Sequence, residues 1–335
     1  MQQPHDSALV TIALDAVGEL VRYHYDLVPT SLSRSDGEAA SVTKLTTAEG
    51  SWAAKIMAAA PGVVDLVAWQ GELSERTRAS GLPVARLKRS RGGEHAVVAV
   101  WGSLPFVMQV TEWLDAAPVA AGIPSSSLLR DIGYTAGRVS LALASAPPPP
   151  SDVSHIWDLR RTIESLDIAL SRIPPGRSRA TLLAARERFA TEASPLLPDL
   201  RMQVVHHDLH DENLLTDGER ITGVLDFGDA VRGVRVAELI VAAAYASRRS
   251  EHPANALRDV IAGWLAVTEL DDAESRMILP AVIGRLATNA ALWMARAGGE
   301  RADYARSRIA GSLDTIDRLI DTNTDGFVGT VRERY

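Results

Sequence analysis

The sequence predicts an α+β fold in two parts, a small antiparallel β-sheet region followed by a larger, mainly helical one. Three observations carry this. Residues 27–59 hold Ser/Thr-rich, β-compatible runs broken at Asp36-Gly37 and Glu49-Gly50, and two turns at that spacing predict three consecutive antiparallel strands. From Ser127 onward, apolar residues recur at helical spacing. Inside the helical part, residues 204–229 read VVHHDLHDENLLTDGERITGVLDFGD, short apolar runs folded back on an Asp-Gly turn.

Composition bounds the reading. A chain of 335 residues, 46% hydrophobic and 23% charged, has room for a two-part globular core. The absence of cysteine excludes disulfides and thiolate metal sites, and suits a cytoplasmic protein. No basic start followed by an apolar block opens the sequence, so no signal peptide is expected. The longest uninterrupted apolar runs, such as residues 239–246, are too short for a bilayer, so no membrane partner is expected. A net charge of -7 argues against a nucleic-acid partner, because phosphate backbones are bound through basic surfaces. Monomer and homodimer both remain open.

In chain order, residues 6–25 carry Leu9, Ile12, Ala13, Val17, Leu20 and Val21 at helical spacing. The third strand places Lys55 between Ala54 and Ile56, where an ammonium needs a partner unless it lies on a solvated edge. A helix over residues 63–78 offers Asp65, Glu72 and Glu75. Further strands are predicted at 84–89, 95–101 and 106–111. A helix over 127–144 with Ser127 as its N-cap follows, then a proline run at 146–150 that reads as a linker. Helices are expected at 157–173, 179–193, 235–246, 254–270, 278–296 and 304–321. The 235–246 helix is apolar nearly all round, so Glu238 within it requires a buried partner. Arg285 shares a face with Asn289 and Trp293 and reads as a snorkelling surface residue.

The hairpin defines the candidate site. Asn213 stands just before it and Asp226 just after it, so the turn brings an amide oxygen and a carboxylate together. Hard oxygen donors of this kind suit Mg²⁺ carrying a nucleotide phosphate. Asp208, a few residues upstream, is then placed to accept a proton from a hydroxyl. His206 is expected to anchor backbone near Asp226.

His206-x-Asp208 with Asn213 and then Asp226-Phe227-Gly228 resembles the catalytic loop and metal motif of the protein kinase-like fold. The form HHDLHDEN…VLDFGDA is most similar to the aminoglycoside phosphotransferase and choline kinase-type small-molecule kinases, nearest their hydroxylysine and homoserine kinase-like branch. The resemblance implies an N-terminal nucleotide-binding lobe over residues 1–112 and a C-terminal catalytic and substrate-binding lobe over 113–335. It also implies ATP or GTP as co-substrate with Mg²⁺ on Asn213 and Asp226, and Asp208 as the catalytic residue. Lys55 then holds the α- and β-phosphates, and Glu72 or Asp65 orients it, although Gln70 stands nearest the position where the family's acid is expected. Ser33, Ser35 and Gly37 fall in the phosphate flap, and Thr111, Glu112 and Leu114 in the hinge that meets the adenine. Only the resemblance implies a carboxylate clamp at Arg285. The implied acceptor is a small-molecule hydroxyl, either of a hydroxy-amino acid or of an antibiotic, which would make the protein an antibiotic-resistance enzyme. Two other readings stand beside this one. The displaced acid near Gln70 suits an inactive nucleotide-binding relative, and the dense His206, His207, His210, Asp211, Glu212 run suits a transition-metal hydrolase.

Overall fold

The computed structural model describes residues 12–35, 41–296 and 302–332. The chain divides into two compact units, Met1–Asp115 with Pro148–Val153, and Ala116–Pro147 with Ser154–Tyr335.

The first unit is a sheet with one helix on each face. Strands β1 (Ser31–Ser35), β2 (Ser41–Thr47) and β3 (Gly50–Ala58) run antiparallel in sequence order, and β3 pairs in turn with β6 (Leu104–Glu112). Along the far edge of β6 lie β4 (Leu87–Lys88) at one end and β5 (Val97–Trp101) at the other. The strand expected over 84–89 is thus only two residues long, and Gly37 lies outside the described residues. Side chains alternate between the faces of a strand. Trp52, Ala54 and Ile56 of β3 therefore join Phe106, Met108 and Val110 of β6 under helix α1 (Leu14–Tyr25), which contributes Ala16, Val17, Leu20, Val21 and Tyr25. The Tyr25 hydroxyl donates to the Met108 carbonyl at 2.8 Å, and burial pushes its pKa up. On the opposite face, Val107 of β6 and Met57 of β3 pack against Val67 of helix α2 (Val63–Ala79).

The second unit is mainly helical. Its helices are α3 (Ser126–Leu143), α4 (Thr162–Leu170), α5 (Arg177–Arg188), α6 (Ala237–Ser247), α7 (Pro253–Leu265), α8 (Asp272–Ala295), α9 (Ala302–Leu319) and α10 (Thr324–Arg332). The N-cap of α3 is Ser125, whose hydroxyl accepts from Leu128 N–H, rather than Ser127. Residues 157–161 precede α4 as a turn and a short 3-10 segment, because the Asp158 carboxylate accepts from the Arg160 N–H and caps that segment instead of continuing a helix. α8 begins six residues earlier than the apolar pattern predicts, since Asp271 and Glu274 close a reciprocal capping box. Contrary to the expectation from uninterrupted runs, α8 is long and apolar enough to cross a membrane, but nearly all of that surface is buried within the unit, against α4, α5, α6 and α9.

Two small sheets complete this unit. Strand β7 (Ala117–Pro118) pairs with β9 (Leu214–Thr216), which forms the predicted hairpin with β10 (Ile221–Val224); β8 (Met202–Val205) pairs with β11 (Val231–Val234). α3 ties down both sheets. The Asp131 carboxylate accepts from the Ile221 N–H at 2.6 Å, and the Gln203 amide donates to the Ser140 carbonyl at 2.9 Å. α3 in turn crosses α7 at Gly133 and Gly263. A Cβ at either glycine would fall 1.8 Å from a backbone carbonyl of the other helix, so only glycine permits this approach.

Candidate active site

The Asp208, Asn213 and Asp226 side chains all belong to the second unit, carried on the loop between β8 and β9 and at the end of β10. The hairpin holds them by backbone: the Leu225 N–H donates to the Asn213 carbonyl at 2.9 Å, and the Asn213 N–H donates to the His210 carbonyl at 3.0 Å. The Asn213 amide donates to an Asp208 carboxylate oxygen at 2.8 Å and to the Asp208 carbonyl at 3.0 Å. Asp226 has a left-handed backbone, φ 55°, and its carboxylate accepts from the Gly228 N–H at 3.0 Å. Because the Asn213 NH₂ is turned to Asp208, the amide oxygen is left as the group that could donate to a metal. An amide oxygen and a carboxylate at the two ends of one hairpin fit Mg²⁺, which takes few protein ligands and fills its octahedron with water and phosphate oxygens.

The loop is anchored from below. Glu238 is fully buried on α6 and accepts from the N–H groups of both His206 and His207, which supplies the partner its sequence position demanded. Burial raises its pKa to about 8, against the opposing pull of those two donors. His206 has the expected anchoring role: its Nε2 meets the Leu225 carbonyl at 3.0 Å, while Nδ1 accepts from the Asp208 N–H at 3.2 Å. Burial lowers its pKa to about 4, so the ring is neutral. His207 sits at φ 68° with its ring buried 5.3 Å from that of His155. His210 Nδ1 accepts from the Glu212 N–H at 3.0 Å, and burial, then Arg308, lower its pKa to about 3. The three imidazoles therefore point to separate backbone partners and do not converge as a transition-metal site.

Arg285 is the largest departure from expectation at this site. It is 3% exposed rather than at the surface, and its Nη2 lies 3.5 Å from an Asp208 carboxylate oxygen. Its Nη1 donates to the Trp157 carbonyl at 2.9 Å, and the guanidinium lies 5.2 Å from the Trp157 ring and 5.7 Å from the Tyr245 ring. Arg248 and Arg308 also flank Tyr245, at 5.2 and 5.3 Å. Arg248, Arg249 and Arg308 converge on the buried Asp211; burial would raise that carboxyl, but the arginines prevail and bring it to about 2. None of Tyr245, Arg248, Arg249 or Arg308 stood out in the sequence, where they look like ordinary helix residues.

The remaining predicted residues lie in the first unit. Lys55 pairs across β3–β6 with Gln109, whose amide donates to the Val67 carbonyl of α2 at 3.4 Å, so Lys55 stands on the α2 face of the sheet. Glu72 and Asp65 are exposed. The acid that α2 turns to the sheet is Glu75, which meets Arg89 at 2.6 Å and His95 at 3.0 Å, one helical turn from the inward-facing Gly71. Ser33 lies on β1 opposite Lys44, and Ser35 opposite Val42, with the Ser35 side chain outside the described residues. Thr111 pairs with Ala53 and Leu87. The Glu112 N–H donates to the Arg86 carbonyl at 2.8 Å and the Trp113 N–H to the Ser51 carbonyl at 2.9 Å, while Leu114 follows, half-buried.

Residues 32–277 match the model of the phosphotransferase enzyme family APH. Hydroxylysine kinase of Mus musculus is 25% identical over 238 residues, 66% of this chain and 63% of the mouse protein, so the chain spans under two thirds of that relative's length. Among solved structures, a microcompartment-associated aminopropanol kinase superposes with TM-score 0.69 at 17% identity, covering 91% of this chain and 97% of its own. An amicoumacin kinase in complex with AMP-PNP, Ca²⁺ and Ami also gives 0.69 at 17% identity, with coverages of 93% and 96%. The α+β fold is thus the protein kinase-like one, and the chain belongs to the phosphotransferase enzyme family.

Proposed function

We propose that the protein transfers the γ-phosphoryl group of ATP or GTP to a hydroxyl of a small molecule. The observation that carries this is the backbone-locked hairpin with Asn213 at one end and Asp226 at the other, its Asn213 amide bonded to the Asp208 carboxylate. Phosphoryl transfer has a loose transition state, so catalysis is mostly in-line positioning and charge neutralisation. Asp208 accepts the acceptor hydroxyl's hydrogen bond and holds its oxygen in line; proton loss to Asp208 comes late. Asn213 and Asp226 would hold Mg²⁺, which would supply neutralisation of charge on the transferred group. The first unit is the nucleotide-binding part. Lys55 contacts the α- and β-phosphates, and Ser33 of β1 lies in the segment the resemblance assigns to covering them. With the Glu112 and Trp113 N–H groups already donated within the sheet, adenine contacts fall to the Glu112 carbonyl and to Leu114, beside Thr111. The exposure of Glu72 and Asp65 weakens both as partners of Lys55.

The acceptors of the named relatives, hydroxylysine and aminopropanol, and the antibiotic kinases among the structural neighbours support an alcohol as acceptor. The test is a panel of hydroxylated amino acids, amino alcohols and antibiotics with ATP or GTP and Mg²⁺, read by mass spectrometry for one added phosphate. A product phosphorylated on oxygen, lost in Asp208→Ala with nucleotide binding retained, is the expected result. Near wild-type transfer by Asp208→Ala would remove the role given to that carboxylate.

A further inference from the structure

We propose that Arg285 selects the acceptor by receiving an anionic group on it, and that the acceptor is therefore a hydroxylated carboxylic acid rather than a polycationic amino sugar. The inference rests on the phosphotransfer reading above. A guanidinium carries five N–H donors and is expensive to bury unsatisfied. Arg285, 3% exposed, makes one hydrogen bond, to the Trp157 carbonyl, and its buried Nε has no hydrogen-bond partner. The same unit saturates a guanidinium where it serves the fold: Arg235 donates to both Glu274 oxygens, to the Thr268 hydroxyl and to the Glu269 carbonyl. Arg285 is held in place by the Trp157 and Tyr245 rings, which fix its position without consuming N–H groups.

Its position relative to Asp208 gives the chemistry of the ligand. At 3.5 Å from the carboxylate oxygen that would orient the hydroxyl, Arg285 is close enough for one small molecule to reach both, with its hydroxyl and its anionic group a few bonds apart. A polyamine would bring like charge against Arg285, whereas a carboxylate completes its donors.

The experiment compares acids with their primary amides, L-homoserine with homoserinamide and 5-hydroxylysine with its amide, and includes spectinomycin as the amino-sugar probe. For the wild-type protein, kcat/KM is expected to favour the acids by about 100-fold. In Arg285→Gln the acid-to-amide ratio should fall to within about threefold of unity, through a higher KM for the acids, and Arg285→Lys should recover part of it. Thermal unfolding of each variant checks that it is folded. An unchanged ratio in Arg285→Gln, an equal loss on acid and amide, or wild-type preference for spectinomycin over every acid overturns the proposal. If no acceptor is phosphorylated, the phosphotransfer reading fails separately, and calorimetric titration with the same acids decides the anion site. Binding lost in Arg285→Gln supports it, and no binding of any acid to the wild-type protein overturns it.

Discussion

Arg235 and Arg285 are built alike and finished differently. Each guanidinium is buried beside a carboxylate and an indole ring, Glu274 and Trp264 for the first, Asp208 and Trp157 for the second. Glu274 is engaged by Arg201 as well as Arg235; burial would raise its pKa, but the two arginines hold it low. Asp208 shares its oxygens loosely, with Arg285 and His210 at 3.5 Å and the Asn213 amide at 2.8 Å. The contrast separates a guanidinium that closes the fold through four hydrogen bonds from one that makes a single hydrogen bond and keeps capacity for a ligand.

The contrast can be broken most severely at Asp208. Asp208→Ala should slow phosphoryl transfer by roughly 4 to 7 kcal/mol of barrier while costing less stability than the loss of Arg235. A loss of stability in place of activity, measured by denaturant titration beside kcat, would make Asp208 a structural residue like Glu274. The reverse should hold at the other pair. Arg235→Ala leaves Glu274 buried with one partner fewer and is expected to cost about 3 to 5 kcal/mol of stability, with KM for acceptor unaltered in whatever protein remains folded.

A third effect is the pH dependence of stability. His206, His207 and His210 have folded pKa values depressed by burial, to about 4 for His206 and about 3 for His210, against 6.5 unfolded. Their contribution is full above pH 6.5 and is lost as pH falls toward 4, at about 1.4 kcal/mol per pH unit for each ring. Glu238 works in the opposite sense: its folded value, raised to about 8, means stability is gained as pH falls from 8 to its unfolded value. Urea midpoints should therefore fall between pH 6.5 and 4.5, less steeply than the histidines alone require, and Glu238→Gln should steepen the fall. A flat profile would show that the loop histidines are not buried as neutral rings. The smallest effect is expected at Arg285 itself. Arg285→Gln should change stability by no more than about 1 kcal/mol in either direction, because little is lost when an under-satisfied charge is removed. A loss as large as that of Arg235→Ala would erase the distinction between the two arginines.

The sequence made the hairpin that carries Asn213 and Asp226 legible because a turn is a local device. Asp217-Gly218 forces the hairpin, and the hairpin fixes how far Asn213 can be from Asp226 whatever surrounds them. The strand pattern around Lys55 was legible for the same reason. What escaped was decided by distant partners. Arg285 reads as a surface residue on α8 until α4's approach segment and Tyr245 of α6 cover it. Glu238 could be said to need a partner, but not that two backbone N–H groups supply it. Glu72 is only the carboxylate nearest the position the resemblance gives the acid, on a different face of the helix from it, and it is exposed, whereas Glu75 on the same helix meets Arg89 and His95.

The crossing of α3 and α7 gives the loop's geometry a remote origin. α3 grips both ends of the segment bearing Asp208, through Gln203 before it and Ile221 after it, and its own seat depends on two missing side chains at Gly133 and Gly263. The seat of the segment bearing Asp208 is thus set partly by a helix junction so close that no side chain fits between the two backbones. A single methyl group added there would act like a wedge under a lever, shifting the loop that bears Asp208 while every residue named in it stayed the same.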